Sequence, residues 1–196
     1  SPETLILKKK NLIKTKPIAG TLRKTKSLNK NKALSFFRKN EKETKEHNMI
    51  VDMERNDLSK ICKTGSVKIE KLKRVEEYRD LFHYVSTIKG LIKKNITNHE
   101  IISSLMPGGS VIGCPKISTI QLLNNKEKND RNIYTGSFGV IHSNGDMRFN
   151  IMIRTLLNFK NNINLSVASG VILGSTAKKE YNENYIKAKS LLELFH

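Results

Sequence analysis

Apolar and polar positions along this chain fall into short blocks whose spacing separates strands from helices. Residues 4–16, TLILKKKNLIKTK, place aliphatic runs on either side of a lysine turn, the pattern of one or two short strands. The segment 22–40 is basic and weakly patterned, with ALSFF at 33–37 as its buried part. A helix is expected over 41–55, followed by a break in RNDL, with Asn56 or Asp57 as the next N-cap. GSVKIEKLKRV (65–75) alternates like a strand, and LFHYVSTIKGLI (81–92) is a β-branched run bounded by glycine and lysines. HEIISSLM (99–106) reads as a short helix stopped by Pro107, and a second helix starts near Pro115 with Ile117, Ile120, Leu122 and Leu123 on it. In GSFGVIHSNGDMRFNIMIRTLLNF (136–159), Asn144-Gly145 predicts a two-residue type I′ turn between two long strands. NINLSVASGVIL (162–173) predicts another strand, and 176–195 a closing amphipathic helix. Long antiparallel strands with flanking helices define an α+β domain.

Composition narrows this picture in three ways. The chain has 196 residues, 37% of them hydrophobic, enough for one domain with a core, and it carries neither an internal repeat nor a Pro- or Gly-rich linker. Thirty-six Lys and Arg against eighteen Asp and Glu give a formal charge of +18. That surplus suits an anionic partner, but it is spread over every segment, as compositional drift would spread it, rather than gathered on one arm. A basic nucleic-acid-binding protein is the reading from a different class; few aromatics and no RNP, KH or finger pattern leave it resting on charge alone. Cys62 and Cys114 have no metal-ligand spacing and fit small apolar positions in a reducing compartment. No apolar run approaches the ~18–20 residues of a membrane span and no signal peptide is evident, so a cytoplasmic location is expected.

Two acidic pairs carry candidate chemistry. In KKEYNENYIKAK (178–189), Glu180, Glu183 and Lys187 stand at i, i+3 and i+7 and share one helical face. EKETKEHNMIVD (41–52) offers Glu43 and Glu46 at the same three-residue spacing. Solvated helix faces, with Glu183–Lys187 an ordinary i,i+4 ion pair, account for the spacing equally well. MPGGSVIGCPK (106–116) and VASGVILGS (167–175) place glycines just before helices, where backbone N–H groups attract anions, although such turns also simply end helices or form bulges.

The order of these blocks resembles the C-terminal catalytic part of the chorismate-utilising enzymes. The matching stretches are SPE (1–3), PIAGT (17–21), KETKEHNMIVDMERNDL (42–58), GSVKIEKL (65–72), FHYVSTIKG (82–90) and MPGGSVIGCPK (106–116). YTGSFGVI (134–141), FNIMIRT (149–155), ASGVI (168–172) and EYNENYIKAKSLL (180–192) complete them. The resemblance covers the whole chain, 1–196, as the C-terminal portion of a chorismate-binding catalytic domain. It implies that the N-terminal half of the family fold is absent, leaving exposed strand edges, and that a chain opening on Ser1 is a fragment, split subunit or processed product.

By the same resemblance, Glu46 and Glu183 hold one Mg²⁺ on the ring carboxylate of chorismate, with Glu43 and Glu180 supporting through water. Arg154 and Tyr134 take the enolpyruvyl carboxylate, helped by backbone N–H groups near Ser169 and Gly170, and Lys187 takes the ring carboxylate. His83 is the general-acid candidate beside the departing ring hydroxyl. Thr21 and Ser110 line the pocket with hydroxyls, and Gly20, Gly109 and Gly113 let the backbone come close. PGGSVIGCPK, YTGSFGVI and FNIMIRT lean toward aminodeoxychorismate synthase component I, which receives ammonia from a glutamine amidotransferase subunit. Against this, Ala19 stands where many of those enzymes carry a nucleophilic lysine, as it would in an anthranilate synthase, the alternative reading.

Overall fold

The computed structural model describes residues 2–195 and shows an antiparallel sheet with helices packed on it. Three strands come first: β1 (Thr4–Lys9), β2 (Leu12–Lys16) and β3 (Ile18–Arg23). Two helices follow, α1 (Lys30–Lys39) and α2 (Glu41–Ile61), then the long strands β4 (Lys68–Glu77) and β5 (Leu81–Leu91). Next are helices α3 (Asn98–Leu105), α4 (Gly109–Ile112) and α5 (Lys116–Lys126), and the hairpin β6 (Ser137–Ile141) and β7 (Met147–Ile151). A separate small hairpin, β8 (Leu156–Phe159) with β9 (Asn162–Leu165), precedes α6 (Ala177–Leu192).

Strand β5 organises the sheet. Its run Phe82–Ile88 is buried throughout, as a strand covered on both faces must be. β4 pairs along one side of it; β2 and β3 pair in succession along the other, and β1, β7 and β6 extend the sheet beyond β2. The register of β3 on β5 sets Thr21 directly opposite His83.

Helix α2 covers the sheet. Asn40 caps it by accepting from the Glu43 N–H (3.3 Å), and Glu41 and Glu43 complement its N-terminal dipole. Its buried stripe is Ile50, Val51, Glu54, Asp57, Leu58 and Ile61, against Leu5, Ile13, Ile88 and Ile151. A second cluster, Ala33, Phe37, Val75, Phe82 and Tyr84, lies under α1.

Several local expectations are corrected. RNDL does not break the helix: Asp57 is buried inside α2, where it binds Lys60 at 2.8 Å and Lys116, so its carboxylate is spent on tertiary ion pairs rather than a cap. The turn at Asn144-Gly145 is a three-residue loop, not type I′. Gly145 N–H donates to the His142 carbonyl (2.8 Å) and only Gly145 takes positive φ, while the Asn144 side chain accepts from Asp146 N–H at 2.9 Å. The run 147–159 is not one strand, because Arg154 adopts φ +50 between β7 and β8. The strand expected over 162–173 ends at Leu165, and Ile117, Ile120 and Leu122 of α5 are exposed, with Ile117 at 76%. Cys62 is buried as expected, but Cys114 is exposed. Among the described residues no helix is long and apolar enough to cross a membrane.

Candidate active site

The first turns of α2 and α6 meet over the end of β3. Lys42 of α2 pairs with Glu180 of α6, and Glu180 is 93% removed from solvent. The loop before α6 is drawn onto α2: a methyl group on Gly170 would stand 2.5 Å from Glu46 Oε1, so the chain passes against that carboxylate where only a bare backbone fits. Gly20 of β3, at φ +94, makes the same close approach to Glu43 and Phe37. Ser169 donates to the Glu180 carbonyl (3.2 Å), and Lys187 binds Glu183 (2.8 Å) while donating to the Ala168 carbonyl (3.0 Å).

His47 locks α2 in place beneath this site. It is fully buried; its Nδ1 faces the Ala19 carbonyl at 3.4 Å and its Nε2 the Ser86 hydroxyl at 2.6 Å. Burial drives its pKa down to about 4, so it is a neutral imidazole that donates through Nδ1 and accepts at Nε2. One side chain thus ties α2 to both β3 and β5.

The electrostatics are those of acids crowded together. Burial, then the charges of Glu43 and Glu183, push Glu46 up to about 7. Burial and Glu183 likewise raise Glu43. Burial alone would raise Glu180 too, but the Lys42 ammonium together with the Ser175 and Ser169 hydroxyls outweighs it and the net shift is downward. Like charges held this close favour a bound cation or proton. The donors are hard carboxylate oxygens, and the buried Glu180 Oε2 has no hydrogen-bond partner, so the residues fit a magnesium ion. Among the described residues, no group of three acidic, His or Cys side chains could hold an ion by itself. A cation here would therefore complete its shell with water or substrate, as Mg²⁺ commonly does.

Across from the acids stands a cationic group. Arg154 Nη1 donates to His83 Nε2 at 2.6 Å, and His83 Nδ1 donates to the Gly20 carbonyl (3.2 Å), with Thr21 Oγ1 at 3.4 Å. Burial, then Arg154, take His83 down to about 4, so it is neutral in this arrangement. Arg154 pays for its place with a left-handed backbone, about 1–3 kcal/mol for a non-glycine residue, and its Nε is buried without a partner. A guanidinium whose Nε is left without a partner suits a carboxylate ligand.

Glu3 joins this group, and it escaped the reading of the residues one by one. It is 2% exposed just before β1, its Oε1 accepts from Ile18 N–H at 3.3 Å, and burial lifts it to about 7 against the pull of Ser110, Arg154 and Lys187. The matched stretch SPE was the one available signal. Ser110, on α4, approaches Glu3 but makes no well-formed hydrogen bond. Gly109 packs on Met53, and Gly113 (φ +110) lies by Thr119, so both shape the α4 turn. Tyr134 is raised by burial, with Arg131 and Glu127 as the charged groups acting on it. Glu43, Glu46, Glu180, Glu183, Lys187, Ser169 and Gly170 are thus brought together on one side, and Thr21, His83 and Arg154 on the other.

The family of chorismate binding enzymes matches residues 1–193, and the chain belongs to it. Aminodeoxychorismate synthase component 1 of Bacillus subtilis is 38% identical over 96% of this chain and 40% of its own length. Anthranilate synthase component 1 of Aquifex aeolicus is 35% identical over 98% of this chain and 39% of its own. The crystal structure of anthranilate synthase component I from Streptococcus pneumoniae superposes with a TM-score of 0.85 at 34% identity, covering 97% of this chain and 42% of that one. The chain therefore spans about 40% of the length of the curated relatives it matches.

The contact at Gly170 gives a direct test of the site. Gly170→Ala is expected to push the Glu46 carboxylate aside and lower chorismate turnover by roughly 10–100-fold, as displacing a ligand's support does. Steady-state kinetics at varied Mg²⁺ would read this as a raised magnesium requirement, with thermal stability little changed because Gly170 is exposed.

Proposed function

We propose that the protein acts as component I of an aminodeoxychorismate synthase, replacing the ring hydroxyl of chorismate by ammonia that a glutamine amidotransferase subunit delivers. The observation that carries an enzymatic reading is the meeting of the Glu43/Glu46 and Glu180/Glu183 turns opposite the Arg154–His83 pair. Support for this particular product comes from PGGSVIGCPK, YTGSFGVI and FNIMIRT and from the 38% identity to the Bacillus enzyme.

Glu46 and Glu183 would hold Mg²⁺, with Glu43 and Glu180 behind them, and the ion would supply a Lewis acid that polarises the ring carboxylate. Lys187 faces the same carboxylate. Arg154, with Tyr134 and the backbone near Ser169 and Gly170, takes the enolpyruvyl carboxylate, and in turning to it leaves His83 Nε2. Glu3, which burial raises to about 7 with Arg154 and Lys187 among the charges acting on it, is a second general-acid candidate for the leaving hydroxyl beside His83. The hydroxyl departs as water with the C–O electron pair and the acid's proton; ammonia forms the C–N bond and gives one proton up. Net proton uptake is zero. His83, kept neutral chiefly by its burial and then by Arg154, orients the hydroxyl and can take part in that exchange.

Anthranilate synthase component I is the second reading, and Ala19 favours it. Its side chain is buried on β3 beside Gly20 and offers no nucleophile. Chorismate, Mg²⁺ and ammonium separate the two. The first reading predicts a product that yields para-aminobenzoate only after a lyase is added. Anthranilate fluorescence without the lyase would replace it by the second.

A further inference from the structure

Two side chains of the β4–β5 hairpin lie close to His83 and have no part in the chemistry described so far. The Arg79–Asp80 turn is closed by Tyr78 N–H, which donates to the Leu81 carbonyl at 2.8 Å. Beyond that turn the register sets Glu76 of β4 directly opposite His83 of β5. Directly paired residues project to the same face of a sheet, so the Glu76 and His83 side chains are neighbours. Tyr78 stands two positions further along, and its ring meets the imidazole near edge to face, with centroids 5.3 Å apart and planes at 67°. The Tyr78 hydroxyl donates to Glu76 Oε2 at 3.1 Å, and Glu76 Oε1 accepts from the Lys16 ammonium at 3.0 Å. Lys16, Glu76, Tyr78 and His83 thus form one connected row.

Stability does not account for this row. Tyr78 is 36% exposed, and the side chains of Lys16 and Glu76 are exposed to much the same degree. An ion pair so exposed adds little to the folded state. His83 by contrast is fully buried, with both ring nitrogens committed. Nδ1 donates to the Gly20 carbonyl, and Nε2 accepts from Arg154 Nη1. In the proposed reaction Arg154 turns to the enolpyruvyl carboxylate, and the ring hydroxyl takes its place at Nε2. The imidazole is then held by hydrogen bonding at Nδ1, which by itself tolerates a broad range of ring tilt.

We propose that Tyr78 is a positioning residue that keeps His83 aimed at the ring hydroxyl once Arg154 has moved to the substrate. This rests on His83 orienting that hydroxyl in the proposed reaction. Tyr78 touches no reacting atom; it acts through the imidazole. Its ring limits the tilt that departure of the guanidinium would allow. Glu76, braced by Lys16, holds the Tyr78 hydroxyl and so keeps that ring from swinging out to solvent.

The test has two independent arms. In the first, the imidazole nitrogen chemical shifts of His83 are measured by NMR without substrate, in a variant that reproduces the departure of the guanidinium. Arg154→Gly serves, because glycine adopts the left-handed backbone of that position freely. His83 is expected to remain a single Nδ1–H tautomer in Arg154→Gly, and to show averaged nitrogen shifts once Tyr78→Leu is added. In the second, disappearance of chorismate is followed in the otherwise unchanged protein, whichever product forms. Tyr78→Leu is expected to lower kcat by roughly 10–100-fold with KM nearly unchanged, the cost of a misaimed group. Tyr78→Phe keeps the ring and should stay within about threefold of the parent. Melting temperatures should stay close to the parent's, because Tyr78 is partly exposed. Tyr78→Ile, a stronger strand former, replaces Tyr78→Leu if leucine unsettles the turn. Equal His83 shifts with and without Tyr78, or a raised KM with kcat retained, overturns the proposal. Absence of chorismate turnover in the parent would instead count against the proposed function, while the NMR arm still decides whether Tyr78 holds the imidazole.

Discussion

Glu183→Gln is expected to remove Mg²⁺-dependent turnover of chorismate, a loss of roughly 10³-fold or more, comparable to deleting the main electrostatic stabiliser of an enzyme. Glutamine keeps the length and one oxygen of the side chain but not the charge. On the α2 side, Glu43 and Glu46 are both raised by burial and by Glu183, so these carboxylates are held against their mutual repulsion. Removing one charge relieves that repulsion and should leave the protein at least as stable, while the cation loses an anionic ligand. The expected signature is therefore divergent: turnover collapses and the melting temperature holds or rises. Lys187, deprived of its 2.8 Å partner, keeps its bond to the Ala168 carbonyl and stays in the pocket. Full activity in this variant would refute the assignment of Glu183 to the metal.

Glu3→Gln is expected to lower kcat by roughly 10²–10⁴-fold, the usual range for a general acid, with chorismate affinity nearly unchanged. Gln preserves the acceptor for Ile18 N–H, so the β1–β3 junction should not shift. It cannot give up a proton, so the alkaline limb of the pH–rate profile should vanish with the activity. Stability should respond in the opposite sense. Glu3 is raised to about 7 by burial, so its ionisation above that pH destabilises the fold, and the Gln variant should melt higher than the parent at alkaline pH. Rapid-quench measurement of a single turnover, compared with equilibrium binding, separates the two effects. A variant with normal kcat and weakened binding would leave Glu3 a structural acid only.

The chain order of elements was legible because most of its strands and helices carry their own periodicity. The β-branched run at 81–92 became the buried central strand, and the i, i+3, i+7 face of 178–189 became the side of α6 turned to α2. What failed was local grammar overruled by distant partners. RNDL looks like a helix break until Lys116, some sixty residues on, takes Asp57 into the interior. The Asn144-Gly145 turn lost its type I′ geometry because Asn144 spends its side chain on the Asp146 N–H. The span after Leu165 alternates like a strand, yet it is drawn onto Glu46 at Gly170 instead of pairing.

The site divides the same way. The acidic pairs at 43/46 and 180/183 were visible as spacing, and the family blocks named their roles, but spacing alone fits solvated helix faces equally well. Their convergence rests on tertiary packing, in which Lys42 pairs with Glu180 and the Gly170 loop lies against Glu46. Glu3 and Glu54 carried no local signal of burial, since a single glutamate in SPE or in VDMERND reads as surface. Their burial comes from tertiary packing: Glu3 accepts from Ile18 N–H of β3, and Glu54 lies on the buried stripe of α2.

The most direct measurement is calorimetric titration of the protein with chorismate, with and without Mg²⁺, repeated in Glu46→Gln and Glu183→Gln. If the two acidic turns hold one cation on the substrate carboxylate, Mg²⁺ tightens chorismate binding, chorismate tightens Mg²⁺ binding by the same factor, and each substitution abolishes that coupling. Equal chorismate affinity with and without Mg²⁺ in the parent protein, or coupling that survives both substitutions, would contradict the account.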